Sequence, residues 1–436
     1  MAKKKITFID LFAGIGGIRL GLEQAIIKAG YTPKCVFTSE IKEHAILVLK
    51  QNHPKDKITG DITKVDASAI PDFDILCAGF PCQAFSAAGK RNGFADTRGT
   101  LFFDVERIVI EKKPKGFILE NVEGLVNHDG GNTLDVIVSN LNAANYWVSY
   151  NVLNSVDFGV PQERKRIYII GIRKDLCETP ISLENFPKTQ KKLGKILETG
   201  KPTSDSPFVR LLLEKFTIEE LSGKAIKDKR GGDANIHSWD LELKGPVTDE
   251  EKHFLNLLLT ERRKKKWADI IGIKWMDGMP LTKEQIEEFY QNDNLQEILN
   301  DLTAKGYVRY EHPKKQITEK HIAPNGIEVT TTKRISDTTK PKGYNIVAGK
   351  LSYEVGKILS PKEVAPTLVA TDMQHLYVID NGGLRTLTLR EGLRLFGYPE
   401  SFKFEIDNAS GFDLLGNTVV VPVIKAVASR LINEII

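Results

Sequence analysis

Ile6-Thr7-Phe8-Ile9-Asp10-Leu11-Phe12-Ala13-Gly14-Ile15-Gly16-Gly17 is the stretch on which the fold turns. An apolar run closes on Asp10, and three glycines separate it from a segment that reads as helix. The run reads as a buried strand. The glycines read as a tight strand-to-helix turn, because glycine adopts positive φ without steric cost and lets a ligand approach the backbone. Such a turn serves nicotinamide, flavin and S-adenosylmethionine cofactors alike, and a purely structural turn looks the same.

Outward from this stretch, the same rhythm recurs. Residues 34–40, 74–78, 116–120 and 166–172 read as further buried strands, alternating with helical patterns through residue 175. Alternation of this kind predicts an α/β fold, a mostly parallel sheet covered by helices. Ligands of such open sheets collect outside the carboxyl ends of the strands, where Asp10, Glu40 and Glu120 fall.

The 436 residues exceed what one hydrophobic core sustains, so two or three domains are expected. With 41% apolar and 27% charged residues the composition is that of a soluble globular protein, and no run approaches the length needed to span a bilayer. The basic start, Lys3-Lys4-Lys5, precedes only a short apolar run and is not read as a secretory signal. Four cysteines, Cys35, Cys77, Cys82 and Cys177, make no disulfide scaffold, and a reduced bacterial cytoplasm is the expected location. A net charge of +4 means that any nucleic-acid footprint is local.

Past residue 175 the rhythm breaks. Residues 1–175 are expected to form one domain, 176–382 a second, and 383–436 a return to the first. Within the second, 250–271, 281–291 and 294–304 read as three helices and 306–310 as a strand, an order compatible with a winged-helix-like insertion over about 249–310. Arg262-Arg263-Lys264-Lys265-Lys266 is placed on the first of these helices and read as a solvated face. From Lys314 to Lys350 eight basic residues stand against three acidic ones, a net charge of +5. Lys333, Arg334, Lys340 and Lys342 are candidates there for phosphate contact, with an ordinary solvated loop as the equal alternative.

Glu40 and Asp61 bring two carboxylates beside the same cleft, one suited to ribose hydroxyls and the other to an exocyclic amine, although taken singly each reads as a cap or an exposed acid. Gly79-Phe80-Pro81-Cys82-Gln83-Ala84-Phe85-Ser86 follows a strand and puts Cys82 at the cleft edge. A lone cysteine is ordinarily a small buried hydrophobe, the reading given to Cys35, Cys77 and Cys177. Cys82 differs, because Glu120-Asn121-Val122 and Gln162-Glu163-Arg164-Lys165-Arg166 supply an acid and two cations at other strand ends.

Together these segments resemble the ordered motifs of bacterial cytosine-5 DNA methyltransferases. The resemblance extends to residues 385–399 and to Gly416-Asn417-Thr418-Val419-Val420, covering about residues 6–175 and 384–425. It implies the Rossmann-like S-adenosylmethionine-dependent methyltransferase fold with an inserted target-recognition domain.

By that resemblance Cys82 is the nucleophile toward cytosine carbon 6 and Glu120 grips and protonates the ring. Arg164 and Arg166 supply the cationic field, one of them also contacting the base. Phe12, Gly14, Gly16, Gly17, Glu40, Asp61, Ile62, Pro81 and Asn417 are implied to bind S-adenosylmethionine. Ile18 and Ile41 stand where aromatic residues are common in the family. Double-stranded DNA is the implied partner, with Gln83, Ser86, Thr367 and Leu368 as further contacts and the loop from Pro81 to Thr100 closing over an extruded base. No metal is expected. A monomer is, together with a cognate restriction endonuclease acting on the same site. The alternatives are a tRNA cytosine-5 methyltransferase, disfavoured by the size of the middle domain, and a non-catalytic DNA-binding protein.

Overall fold

The alternation from residue 5 onward folds into a seven-stranded sheet. A computed structural model describes residues 4–81, 101–228, 231–274, 278–322, 328–347 and 353–436. The first of two compact units takes in 1–199, 360–374 and 387–436. Its chain runs β1 (Lys5–Leu11), α1 (Gly17–Lys28), β2 (Thr32–Ser39), α2 (Glu43–Asn52), β3 (Ile58–Thr59) and β4 (Ile75–Ala78). It continues with α3 (Leu101–Lys112), β5 (Gly116–Val122), α4 (Asn132–Ala143), β6 (Tyr146–Asn154) and β7 (Lys165–Arg173). The strand order is β3-β2-β1-β4-β5-β7-β6.

Strands β1 to β5 pair in parallel, whereas β7 is antiparallel to both its neighbours. That reversal matters for the chemistry. It sets the amino end of β7 beside the carboxyl end of β5, with Arg166 opposite Val122 and Tyr168 opposite Glu120. The segment 162–166 therefore arrives at the ligand-collecting edge by entering a strand, where Asp10, Glu40 and Glu120 reach it by leaving one.

Both faces of the central strands are covered, which is why they read as nearly unbroken apolar runs. On one face Ile9, Leu76, Phe117 and Ile167 pack with Phe102, Val105 and Ile108 of α3 and Leu134, Ile137 and Leu141 of α4. On the other, α1 and the terminal helix Val421–Ile435 close over the sheet at glycines. A Cβ on Gly21 would lie 2.6 Å from Ile424, and one on Gly116 2.7 Å from Leu431. The stretch Asn408–Ile435 is long and apolar enough to cross a membrane by length and composition, but 67% of its apolar 18-residue window is buried in the protein. Strand β6 has no counterpart in the sequence reading. It is a sheet-edge strand, half-exposed and mixed in polarity, so no clean period of two marks it.

The second unit comprises Gly200–Leu359 and His375–Thr386. Residues 176–199 and 360–374, which the sequence reading gave to the middle domain, pack instead with the first unit. The chain leaves the second unit at Thr386, since Gly383–Thr386 pairs with Leu376–Asp380 in its five-stranded sheet. One core of this unit surrounds Trp239, Phe254, Trp267 and Tyr307, and another surrounds Val209, Leu212, Val355 and Leu384.

The helix expected over 250–271 is two helices, Asp249–Glu261 and Lys265–Ile271. The basic run forms the junction between them rather than a solvated face of one. Arg262 caps the first helix and is 2% exposed, its Nη1 donating to Asn345 Oδ1 at 2.7 Å. After the helix Leu295–Ala304, the strand Val308–Glu311 pairs with Gly343–Ile346, and between them runs the hairpin Lys314–Ile322 and Glu328–Ser336.

Gly21 tests the seating of the terminal helix. Gly21→Val forces side chain into Ile424 and the Val421 carbonyl, where overpacking costs about 1–3 kcal/mol. The expected result is a lower urea midpoint, while Gly30→Val, at a position with nothing near the added Cβ but a positive φ, reports backbone strain alone.

Candidate active site

The turn after β1 is built from backbone that bends the wrong way for most residues. Phe12, Gly14 and Gly16 have φ of 53°, 55° and 84°. Ala13 donates its N–H to the Ser39 carbonyl at 3.0 Å and Gly16 donates to Ala13 at 2.8 Å, which closes the turn against the end of β2. A Cβ on Gly17 would meet the Tyr398 hydroxyl at 2.6 Å and Val419 at 2.7 Å, so only glycine fits there. Tyr398 in turn shares a 2.7 Å hydrogen bond with the Thr418 hydroxyl.

Glu40 holds this corner together. Its Oε2 accepts from Gly14 N–H at 2.7 Å and its Oε1 from the Ile41 and Lys42 N–H groups, both at 2.8 Å. A carboxylate has about four lone-pair positions, so room for one further donor, such as a sugar hydroxyl, remains. Ile41 beside it is 71% exposed. Asp61 is a cap, as its isolated reading allowed. Oδ1 accepts from the Thr63 hydroxyl at 2.7 Å and N–H at 3.0 Å, which holds its carboxyl pKa below the usual range, while Oδ2 lies 3.7 Å from Lys64. Ile62 is buried in the core and offers no surface to a ligand. Asn417 is exposed and donates to the Asp413 carbonyl at 2.8 Å.

Asp10 is fully buried, and neither carboxylate oxygen has a hydrogen-bond partner. Burial pushes its carboxyl well above the usual range, against the pull of Arg19. A glycine cradle and a carboxylate with one vacant lone pair suit a ligand that carries a ribose. The residues present fit S-adenosylmethionine.

Glu120 ends β5 with 9% exposure, its Oε1 3.3 Å from Arg166 Nε. Burial raises its carboxyl pKa, and Arg166 first, then Arg164, pull it back. A Cβ on Gly79 would lie 3.8 Å from Glu120 Oε2 and 3.4 Å from Ile18, so the end of β4 runs beside the acid. Asn121 fixes that approach, donating Nδ2 to the Phe80 carbonyl at 2.9 Å. Its role was not read from the sequence, where the residue looked only like a neighbour of Glu120. Pro81 is exposed. Cys82, Gln83 and Ser86 lie outside the described residues. Two of the other cysteines are made unreactive by burial, which raises Cys35 to about 11 and Cys77 well above its ordinary value.

The two arginines part company. Arg166 faces Glu120, whereas Arg164 is 4% exposed and spends its guanidinium on main chain. Nη1 donates to the Leu368 carbonyl at 2.8 Å, and Nη2 to those of Gly416 at 3.1 Å and Thr418 at 3.0 Å, with the Phe396 ring 5.3 Å from Cζ. Burial and the like charge of Arg166 lower its pKa to about 10. Gln162, wholly buried, bonds the Leu395 carbonyl at 3.0 Å and the Leu368 N–H at 3.3 Å. Thr367 donates to the Glu163 carbonyl at 2.6 Å. Leu368, expected beside DNA, is completely buried, and its main chain anchors Gln162 and Arg164.

A glycine turn backed by Glu40 follows β1, an acid–arginine pair lies where β5 meets β7, and β4, which leads to Pro81, stands between β1 and β5 in the same sheet. The family model for C-5 cytosine-specific DNA methylase matches residues 6–433. The chain belongs to this family. It is 60% identical to Type II methyltransferase M.NlaIV of Neisseria lactamica over 99% of this chain and 100% of that protein. To M.NgoBV of Neisseria gonorrhoeae it is 58% identical with the same coverage, and to M.BanI of Aneurinibacillus aneurinilyticus 39%, over 99% of this chain and 96% of that one. Among solved structures, a variant of Spodoptera frugiperda DNMT2 superposes with a TM-score of 0.51 at 16% identity, covering 98% of this chain and 99% of that one, a likeness of fold alone. The chain is a DNA cytosine-5 methyltransferase of mixed α/β architecture, and the sequence expectation of this class holds.

In this methylase Arg164 is expected to act on stability. Arg164→Ala strands three buried carbonyls and should lower the unfolding free energy by at least about 3 kcal/mol. Arg164→Lys should recover less than half of that, since an ammonium does not reproduce the planar fork. Urea titration of both variants checks it.

Proposed function

We propose that the chain is the modification methyltransferase of a restriction–modification system, acting on one short duplex sequence and using S-adenosylmethionine. The full-length likeness to proteins named Type II methyltransferases supports the biological setting. The observation that carries the chemistry is the Glu120–Arg166 pair, buried at a strand end whose neighbour leads directly into Cys82.

Cytosine carbon 5 is a weak nucleophile until the ring loses its aromaticity. The target base leaves the duplex stack at a cost of roughly a few kcal/mol. The Cys82 thiolate adds to carbon 6, and the thiolate fraction rises near cations such as Arg166. Glu120, whose burial favours its neutral form, delivers a proton to N3 as charge develops there, so one group both recognises and activates the base. Arg166 keeps Glu120 oriented and faces the base, and Arg164 holds the scaffold behind them. S-adenosylmethionine supplies an electrophilic methyl group, which the activated carbon 5 accepts. Loss of the carbon 5 proton then expels the Cys82 thiolate, and N3 returns its proton to Glu120. Glu40, the turn Phe12 to Gly17, Asp61, Pro81 and Asn417 would hold the cofactor, with Ile41 as an apolar wall. Arg334, Lys340 and Lys342 would grip the duplex together with Gln83, Ser86 and Thr367, whereas Lys333, the fourth candidate, is paired with Glu319 at 2.6 Å.

Cys82→Ala should abolish methyl transfer and leave DNA binding near wild type. The wild-type enzyme should form a covalent adduct on duplex containing 5-fluorocytosine at the target. Tritium transfer by Cys82→Ala near the wild-type rate would overturn the nucleophile.

Glu120→Gln should slow single-turnover methylation about a hundredfold or more. The raised Glu120 pKa means that activity is lost as pH climbs through it. Arg166 holds that value down, so Arg166→Ala should move the alkaline limb of the pH–rate profile to higher pH besides lowering its height. A limb that stays put would detach Arg166 from Glu120.

A further inference from the structure

The hairpin in the second unit differs between its two faces at the root, where its side chains are described. Its strands, Lys314–Ile322 and Glu328–Ser336, pair in unbroken antiparallel register, and no third strand among the described residues joins them. Side chains alternate between the two faces of such a ribbon. One face carries Lys315, Ile317, Glu319, Thr331, Lys333 and Ile335. It neutralises itself, with Lys315 bonded to Asp337 at 3.2 Å and Lys333 to Glu319 at 2.6 Å. The described part of the other face consists of Lys314, Gln316, Thr318, Arg334 and Ser336, all exposed. Along the register the same face continues through the pairs Lys320–Thr330 and Ile322–Glu328 toward the tip; at the root none of the five described side chains is acidic or apolar, and among the described residues none of them has an ion pair or hydrogen bond. Gln316 stands directly across from Arg334.

A bare two-stranded ribbon is marginal in water unless something covers it. The partner this face suits is polyanionic and offers hydrogen-bonding edges in a groove of ribbon width. The major groove of DNA is about 12 Å wide and admits a two-stranded ribbon, whose strands lie about 4.8 Å apart. In that groove guanine presents two acceptors that match the arginine fork, and adenine an acceptor and a donor that match a glutamine amide. We propose that this polar face enters the major groove of the substrate and reads sequence, Arg334 bonding a guanine and Gln316 an adenine. Directly opposed residues have Cβ atoms about 5 Å apart, and stacked base pairs about 3.4 Å, so the two bases belong to neighbouring pairs. Lys314 and Ser336, at the root of the ribbon, then meet the flanking phosphates. The inference rests on duplex DNA being the substrate and goes beyond it in assigning the reading element and two of its residues.

The full-length enzyme with S-adenosylmethionine is given a pool of duplexes randomised across the site and its flanks, and methylated cytosines are found by bisulfite sequencing. Wild type, Gln316→Ala, Arg334→Ala and Arg334→Lys are compared. Arg334→Ala should lose about tenfold or more of its guanine preference at one position, and Gln316→Ala a similar adenine preference at the neighbouring position, with the rest of each profile intact. Arg334→Lys should lose what Arg334→Ala loses, because it keeps the charge and not the fork, while its binding to non-specific duplex stays within threefold of wild type and reports an intact fold. Unchanged profiles, or a uniform loss of rate with the wild-type profile, would overturn base reading and leave a phosphate contact at most. Absence of methylcytosine in the wild-type reaction would instead overturn the premise, and the proposal with it.

Discussion

The catalytic unit depends on one buried guanidinium. Arg164 stands immediately before β7 and donates to carbonyls of Leu368, Gly416 and Thr418, more than two hundred residues further along the chain. A charge with 4% exposure is costly to bury, and three main-chain acceptors with an aromatic ring alongside offset that cost. Gln162 repeats the device with Leu395 and Leu368. Between them these two side chains fasten 365–368, 395–396 and 416–418 to the amino end of β7. The returning segments are thereby made part of the same unit as the first strands.

What this fastening positions is an electrostatic edge. Because β7 runs against β5, Arg166 enters the sheet where Glu120 leaves it, and the two meet at 3.3 Å. Burial alone would raise Glu120 without limit on its use. The arginine beside it faces the carboxyl at 3.3 Å and pulls its pKa back down against the effect of burial. Asp10, raised further and left without a partner, lies at the same edge of the sheet.

In the second unit, charge is arranged rather than accumulated. The basic run at 262–266 is spent partly on structure, with Arg262 buried against Asn345. The hairpin, in contrast, pairs Lys315 and Lys333 with acids on one face, whereas on the other Lys314 and Arg334 have no acid partner among the described residues. Net charge along the segment does not reveal this division, since it depends on which residues share a face.

Period and punctuation along the chain were enough for the α/β class, five strands of the main sheet, the glycine turn and the strand ends bearing Asp10, Glu40 and Glu120. These are local properties, set by the alternation of apolar residues and by backbone that glycine alone tolerates. Family motifs in order made the chemistry legible. Tertiary structure decided the rest. Strand β6 escaped notice because a sheet edge lacks a clean period. Arg164 and Arg166, two residues apart and alike in sequence, took different tasks because one meets carbonyls from distant segments and the other meets Glu120. Leu368 and Ile62, expected at ligands, went into the core, and 360–374 joined the first unit, because partners contributed by remote segments determine burial and no local pattern records them.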